Sequence, residues 1–111
     1  MKLNVLERIM ALQTIALYAE GNFITFKTLN SLRMKLGFNE DENKKYEIKE
    51  ENNMYIWNEL GSVEEVDIPV TDGELILLVN KLLELDKNSK LTPNHFSLYE
   101  KVVVIKTDDE L

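Results

Sequence analysis

Three helix-capping residues in this chain are each followed, three positions on, by a glutamate, and each pair stands ahead of a helix-suited run: Asn4 with Glu7, Asn39 with Glu42, Thr71 with Glu74. In such a capping box the first side chain accepts the backbone N–H of the glutamate, and the glutamate accepts the N–H of the cap. Orphan donors at a helix start are thereby satisfied, so the pattern fixes where helices begin. Behind Asn4, Leu6, Ile9, Met10, Gln13 and Leu17 recur at helical spacing, with Val5, Leu12 and Ala16 widening the stripe. Glu20-Gly21-Asn22 ends this helix, with Gly21 suited to a left-handed C′ position. A second helix is predicted from after Thr25 to Leu36, with Leu29, Leu32, Met34 and Leu36 inward, Lys27, Arg33 and Lys35 outward, and Gly37 as the stop. The Asn39 box starts a short helix or turn. The Thr71 box opens a strongly apolar helix through Leu85, and Thr92-Pro93 starts a last one with Phe96, Tyr99, Val102 and Val103 buried.

The middle of the chain changes period. Tyr46, Ile48 and Glu50 alternate with polar neighbours, and Met54 to Trp57 is β-prone. Asn52-Asn53 between them suits a tight turn, because Asn tolerates positive φ. Segments 45–50 and 54–58 therefore read as a hairpin. Gly61-Ser62 reads as a break, and Val66, Ile68 and Val70 as a third strand whose Pro69 belongs at an edge. The expected fold is α+β: two N-terminal helices, a small three-stranded antiparallel sheet and two C-terminal helices. One domain is expected over residues 1–106, with 107–111 as a frayed acidic tail.

The net charge is −7, and it is concentrated. Residues 1–37 carry five cations against Glu7 and Glu20, whereas residues 50–80 contain eight acids and no Lys or Arg. Such a field repels nucleic acid and anionic membrane and attracts basic surfaces. It also keeps a protein soluble, which is the plainer reason for a charged face. The chain has no cysteine, which excludes disulfides and Cys-based zinc sites and fits a cytoplasmic protein. The N-terminus lacks the apolar run of a secretion signal, and no stretch reaches the ~18 apolar residues of a membrane span.

Few residues suggest chemistry. His95 is the single histidine, with Tyr99 one helical turn on. Asp67, Asp72 and Glu74 miss the spacing of a calcium loop, and the last two suit a helix start. Glu64 and Glu65 are adjacent and face opposite ways on a strand. No phosphate-binding glycine loop occurs. No catalytic residue, metal site or cofactor is expected.

Glu20 to Leu29, Leu36-Gly37-Phe38 before the acidic cap, Trp57-Asn58, and Lys90 to Lys101 together resemble a family of small uncharacterised proteins from bacteriophages and prophages of low-GC Gram-positive bacteria. The resemblance implies a phage-encoded accessory protein in a bacterial cytoplasm, and no activity. The tail from Val104 to Leu111 departs from the family pattern. The expectation is a non-enzymatic protein that inhibits a host defence or nucleic-acid-handling complex through an acidic surface. Glu50, Glu51, Glu59, Glu64, Glu65 and Asp67, with Tyr55 and Trp57, would meet a host or phage protein with a basic surface. The alternatives are a structural homo-oligomer joined through the apolar helix 72–86, or a weak DNA-binding regulator using the N-terminal helices.

Overall fold

All three capping boxes form, and each starts a helix at its expected place. A computed structural model describes residues 1–105; the tail 107–111 anticipated above lies outside them. In chain order the elements are β1 (Lys2–Leu3), α1 (Val5–Ile15), α2 (Phe23–Leu36), α3 (Glu40–Lys45), β2 (Lys49–Glu51), β3 (Met54–Ile56), α4 (Glu59–Val63), β4 (Val66–Asp67), α5 (Asp72–Lys87) and α6 (Phe96–Tyr99). A 3-10 turn, Pro93–His95, leads into α6, and a π-helical turn, Glu100–Val104, continues it.

The class is α+β, but the three-stranded sheet does not form. β4 pairs antiparallel with β1, Lys2 opposite Asp67 and Leu3 opposite Val66, while β2 and β3 make a separate hairpin. Between hairpin and β4 lies α4, which the sequence reading replaced with a break at Gly61-Ser62. Asn58 caps α4 by accepting the Gly61 N–H at 3.0 Å. Gly61 is there for space: an added Cβ would lie 2.9 Å from Val5 Cγ2 and 3.0 Å from Trp57 Cδ1. The described residues thus hold six helices and two two-stranded sheets, in place of four helices and one sheet.

Helix ends differ from expectation too. α2 starts at Phe23, two residues before Thr25, because Asn22 caps it and accepts the Thr25 N–H at 2.8 Å. α1 stops at Ile15, leaving Leu17 exposed, and no described glycine has positive φ. Gly21 instead makes room for Thr25, whose Cγ2 would sit 2.8 Å from an added Cβ. The left-handed exits fall on Glu47 after α3 and Ser89 after α5. There the Ile48 N–H bonds Asn43 O at 3.1 Å and the Lys90 N–H bonds Leu85 O at 2.8 Å, closing both helices.

The main core joins α1 (Met10, Ala11, Ile15), α2 (Leu29, Leu32, Leu36), α5 (Leu78, Leu82) and the C-terminal turns (Leu98, Val102, Val103) to Leu3 and Ile68. A satellite of Val5, Ile9 and Tyr46 takes Phe38, Ile48 and Trp57 against it. Two expected core residues are outside: Met34 is 74% and Phe96 70% exposed. Leu98 takes the place intended for Phe96, because the 3-10 and π turns on either side change the helical phase.

Each capping-box glutamate also receives a cation from a distant element. Glu7 Oε1 accepts the Asn4 N–H at 2.9 Å and Lys101 Nζ at 2.7 Å. Glu74 Oε1 accepts the Thr71 N–H at 2.8 Å and Lys35 Nζ at 2.7 Å. Glu42 Oε1 accepts the Asn39 N–H at 3.2 Å, and its two oxygens accept both terminal nitrogens of Arg8. Arg8 is 2% exposed. Its Nε and Nη2 also donate to the Leu36 and Gly37 carbonyls at 3.1 and 2.6 Å, and its guanidinium lies 4.1 Å from the centre of the Phe38 ring. One buried fork thus stitches α1, the end of α2 and the start of α3 together.

Arg8→Ala leaves the two carbonyls without their side-chain donor and Glu42 without its cation, and is expected to destabilise the fold by about 3 kcal/mol in urea unfolding. Arg8→Lys keeps the charge but loses the fork, and should recover only part of that stability. Burial of Glu74 works to raise its pKa, but Lys35, the Thr71 N–H and the Ser31 hydroxyl outweigh it and hold it at about 2. The unfolded carboxyl titrates near its ordinary 4.5. This contribution, roughly 3 kcal/mol, is therefore complete above pH ~4.5 and lost as pH falls toward ~2. Glu74→Gln should flatten that part of the stability–pH curve.

Candidate functional site

The β2–β3 hairpin is the most exposed regular structure: all six strand residues are open to solvent. Asn52 and Asn53 have φ of 53° and 63°, the two left-handed residues of a type I′ turn. Glu50 lies opposite Tyr55, and Glu51 opposite Met54. Tyr55 is 44%, Ile56 43% and Met54 67% exposed. Ile48 and Trp57, at the hairpin's base, pack on the satellite core. The Trp57 Nε1–H donates to Ser62 Oγ at 2.9 Å, which with the close approach at Gly61 fixes the indole.

The eight acids of residues 50–80 do not form one face. Glu50, Glu51 and Glu59 are exposed and enter no described ion pair. Glu64 accepts Tyr46 Oη at 2.8 Å and pairs with Lys45, and those bonds, Lys45 first, hold its carboxyl below the usual range. Glu65 pairs with Lys101, and Asp67 with the N-terminal amine at 3.4 Å. Of the partner-facing set expected from the sequence, Glu50, Glu51 and Tyr55 are brought together on the hairpin, with Trp57 at its base. Glu64, Glu65 and Asp67 lie toward β4, engaged by the chain's own cations.

Two of the N-terminal cations are likewise spent internally. Arg8 is buried and Lys35 holds Glu74, leaving Lys27 and Arg33 as exposed cations of α2. Sequence reasoning missed the burial of Glu7 and Arg8 because both carry charge on an apparently amphipathic helix. The alternating Asn-x-x-Glu spacing was the only hint that Glu7 had work to do.

A fourth capping box appears at Thr92. His95 stands where a glutamate would, and its Nδ1 accepts the Thr92 N–H at 2.9 Å. Burial lowers its pKa, so the ring is neutral near pH 7, with its proton on Nε2. Tyr99, one turn on, bonds Asp86 at 2.7 Å instead. Beside His95, a cleft of about 380 Å³ opens between α1, the hairpin and the 3-10 turn, with Trp57 and Tyr55 in its wall.

Among the described residues, no group of three or more His, Asp or Glu could hold a metal, and no helix is long and apolar enough to cross a membrane. Gly61→Ala should push Trp57 from its seat, cost about 1–3 kcal/mol, and move the tryptophan emission to longer wavelength. No family model, curated protein or solved structure matches this chain.

Proposed function

We propose that this protein acts without catalysis, by binding a partner protein through the β2–β3 hairpin. The observation that carries the reading is a strand pair exposed along its whole length, with unpaired acids on one strand and Met54, Tyr55 and Ile56 on the other. Two strands alone are marginal in water, and each leaves an unpaired edge. An exposed aromatic beside open backbone donors and acceptors suits addition to another protein's sheet edge or groove. Glu50 and Glu51 direct that encounter toward basic surfaces.

The resemblance to phage-encoded proteins makes a host complex in the bacterial cytoplasm the natural partner, and inhibition of a defence or nucleic-acid-handling function the natural outcome. A DNA-binding role draws less support, since Arg8 and Lys35 are occupied inside the fold. A homo-oligomer through α5 would rest on Ile76 and Leu83, because Leu78 and Leu82 are already fully buried.

The test is capture from host lysate with Glu50→Lys/Glu51→Lys and with Tyr55→Ala beside the unaltered protein. The charge reversal should abolish a salt-sensitive captured species and Tyr55→Ala should weaken it by about tenfold, with circular dichroism unchanged. Equal recovery by all three proteins overturns the reading.

A further inference from the structure

Three of the four capping boxes among the described residues give their third residue two tasks: Glu7, Glu42 and Glu74 each cap a helix and hold a cation. The fourth does not. His95 spends Nδ1 on Thr92, and its Nε2–H has no acceptor among the described residues. It lies in the wall of the 380 Å³ cleft, a volume within the usual range for small-molecule sites.

The lining of that cleft has an unusual chemistry. Charged residues make up 30% of the chain, yet none of the described residues lining the cleft carries a formal charge. The polar groups include the amides of Gln13, Asn53 and Asn94, each able to donate and accept, beside Thr92, the Tyr55 hydroxyl and His95. The flat groups are Tyr55 and Trp57, and the Trp57 ring is held in place by Gly61 and Ser62. Amides that donate and accept together are what reads the edge of a heteroaromatic ring, and aromatic side chains are what stacks on its face. A phosphate finds no cation in the lining and faces a protein of net charge −7.

We propose that the cleft between α1, the hairpin and the Pro93–His95 turn binds an uncharged nucleobase or nucleoside, stacked on Trp57 and Tyr55, with His95 and the three amides contacting its edge. This goes beyond the partner-binding reading: the two share Met54 and Tyr55, but Glu50 and Glu51 are not part of the cleft, and Gln13, Asn94 and His95 are not part of the hairpin.

Trp57 is the single tryptophan, so its indole N–H gives one unambiguous NMR cross-peak. Adenosine, guanosine, cytidine and uridine would each be titrated into the full chain to millimolar concentration. At least one should move that cross-peak saturably, and its 5′-monophosphate should bind several-fold more weakly. Gln13→Ala, an exposed change on α1, should raise the dissociation constant by about tenfold. His95→Glu keeps the reach-back bond to Thr92 while removing the ring donor, and should weaken binding at least as much. Glu50→Lys/Glu51→Lys, outside the lining of the cleft, should leave the titration unchanged, which separates this proposal from the acidic strand's role in partner binding. The proposal is overturned if no nucleoside moves the cross-peak, if the monophosphate or a single-stranded oligonucleotide binds more tightly than the nucleoside, or if Gln13→Ala binds as the unaltered protein does.

Discussion

A carboxylate at the third position of a helix has two oxygens and room for several donors. In this protein that surplus joins secondary to tertiary structure. Glu7, Glu42 and Glu74 each close a helix start and take a cation from far along the chain, Lys101 94 residues away, Arg8 34 and Lys35 39. The arrangement suits a chain this short. A core drawn from short helices leaves the segments between them little area to bury, so polar connections fix how they are set against one another. Their partial burial makes them stronger than surface pairs, and their several donors offset the loss of water around the carboxylate.

Arg8 shows how much one side chain can organise. The last carbonyls of α2 need donors, and here they come from α1 rather than from a C-terminal glycine in the left-handed region. The same guanidinium reaches the box that starts α3, so the chain's reversal after Gly37 is held from behind. Planarity matters: three directions of donation are set by one rigid group lying on Phe38.

The local grammar of the sequence was legible where a signal lies within four residues. The capping boxes, the Asn52-Asn53 turn and the Thr92-Pro93 start all stand where spacing places them. What spacing could not carry was choice of partner. Val66 alternates like a strand beside the hairpin, yet it pairs with Leu3, because the N-terminal segment brings its own edge there and Lys101 bonds Lys2 O, Glu7 and Glu65 around it. Gly61 carries the signature of a breaker, and only the nearness of Val5 and Trp57 explains it inside a helix. The acidic segment was legible as a composition. Its division into exposed hairpin acids and internally engaged ones depended on cations elsewhere in the chain. The charge-free cleft had no linear signature at all, being assembled from α1, the hairpin and the turn before α6.

The double use of the capping glutamates bears on how the fold comes apart. Many proteins in acid keep their helices while side-chain packing loosens, because different groups sustain the two levels of order. In this chain the same carboxylates sustain both. Protonating Glu42 or Glu74 weakens a helix start and an interhelical tie in one event. Helicity and packing should then fail together, leaving little room for a compact, helical, loosely packed intermediate between the native protein and the disordered chain.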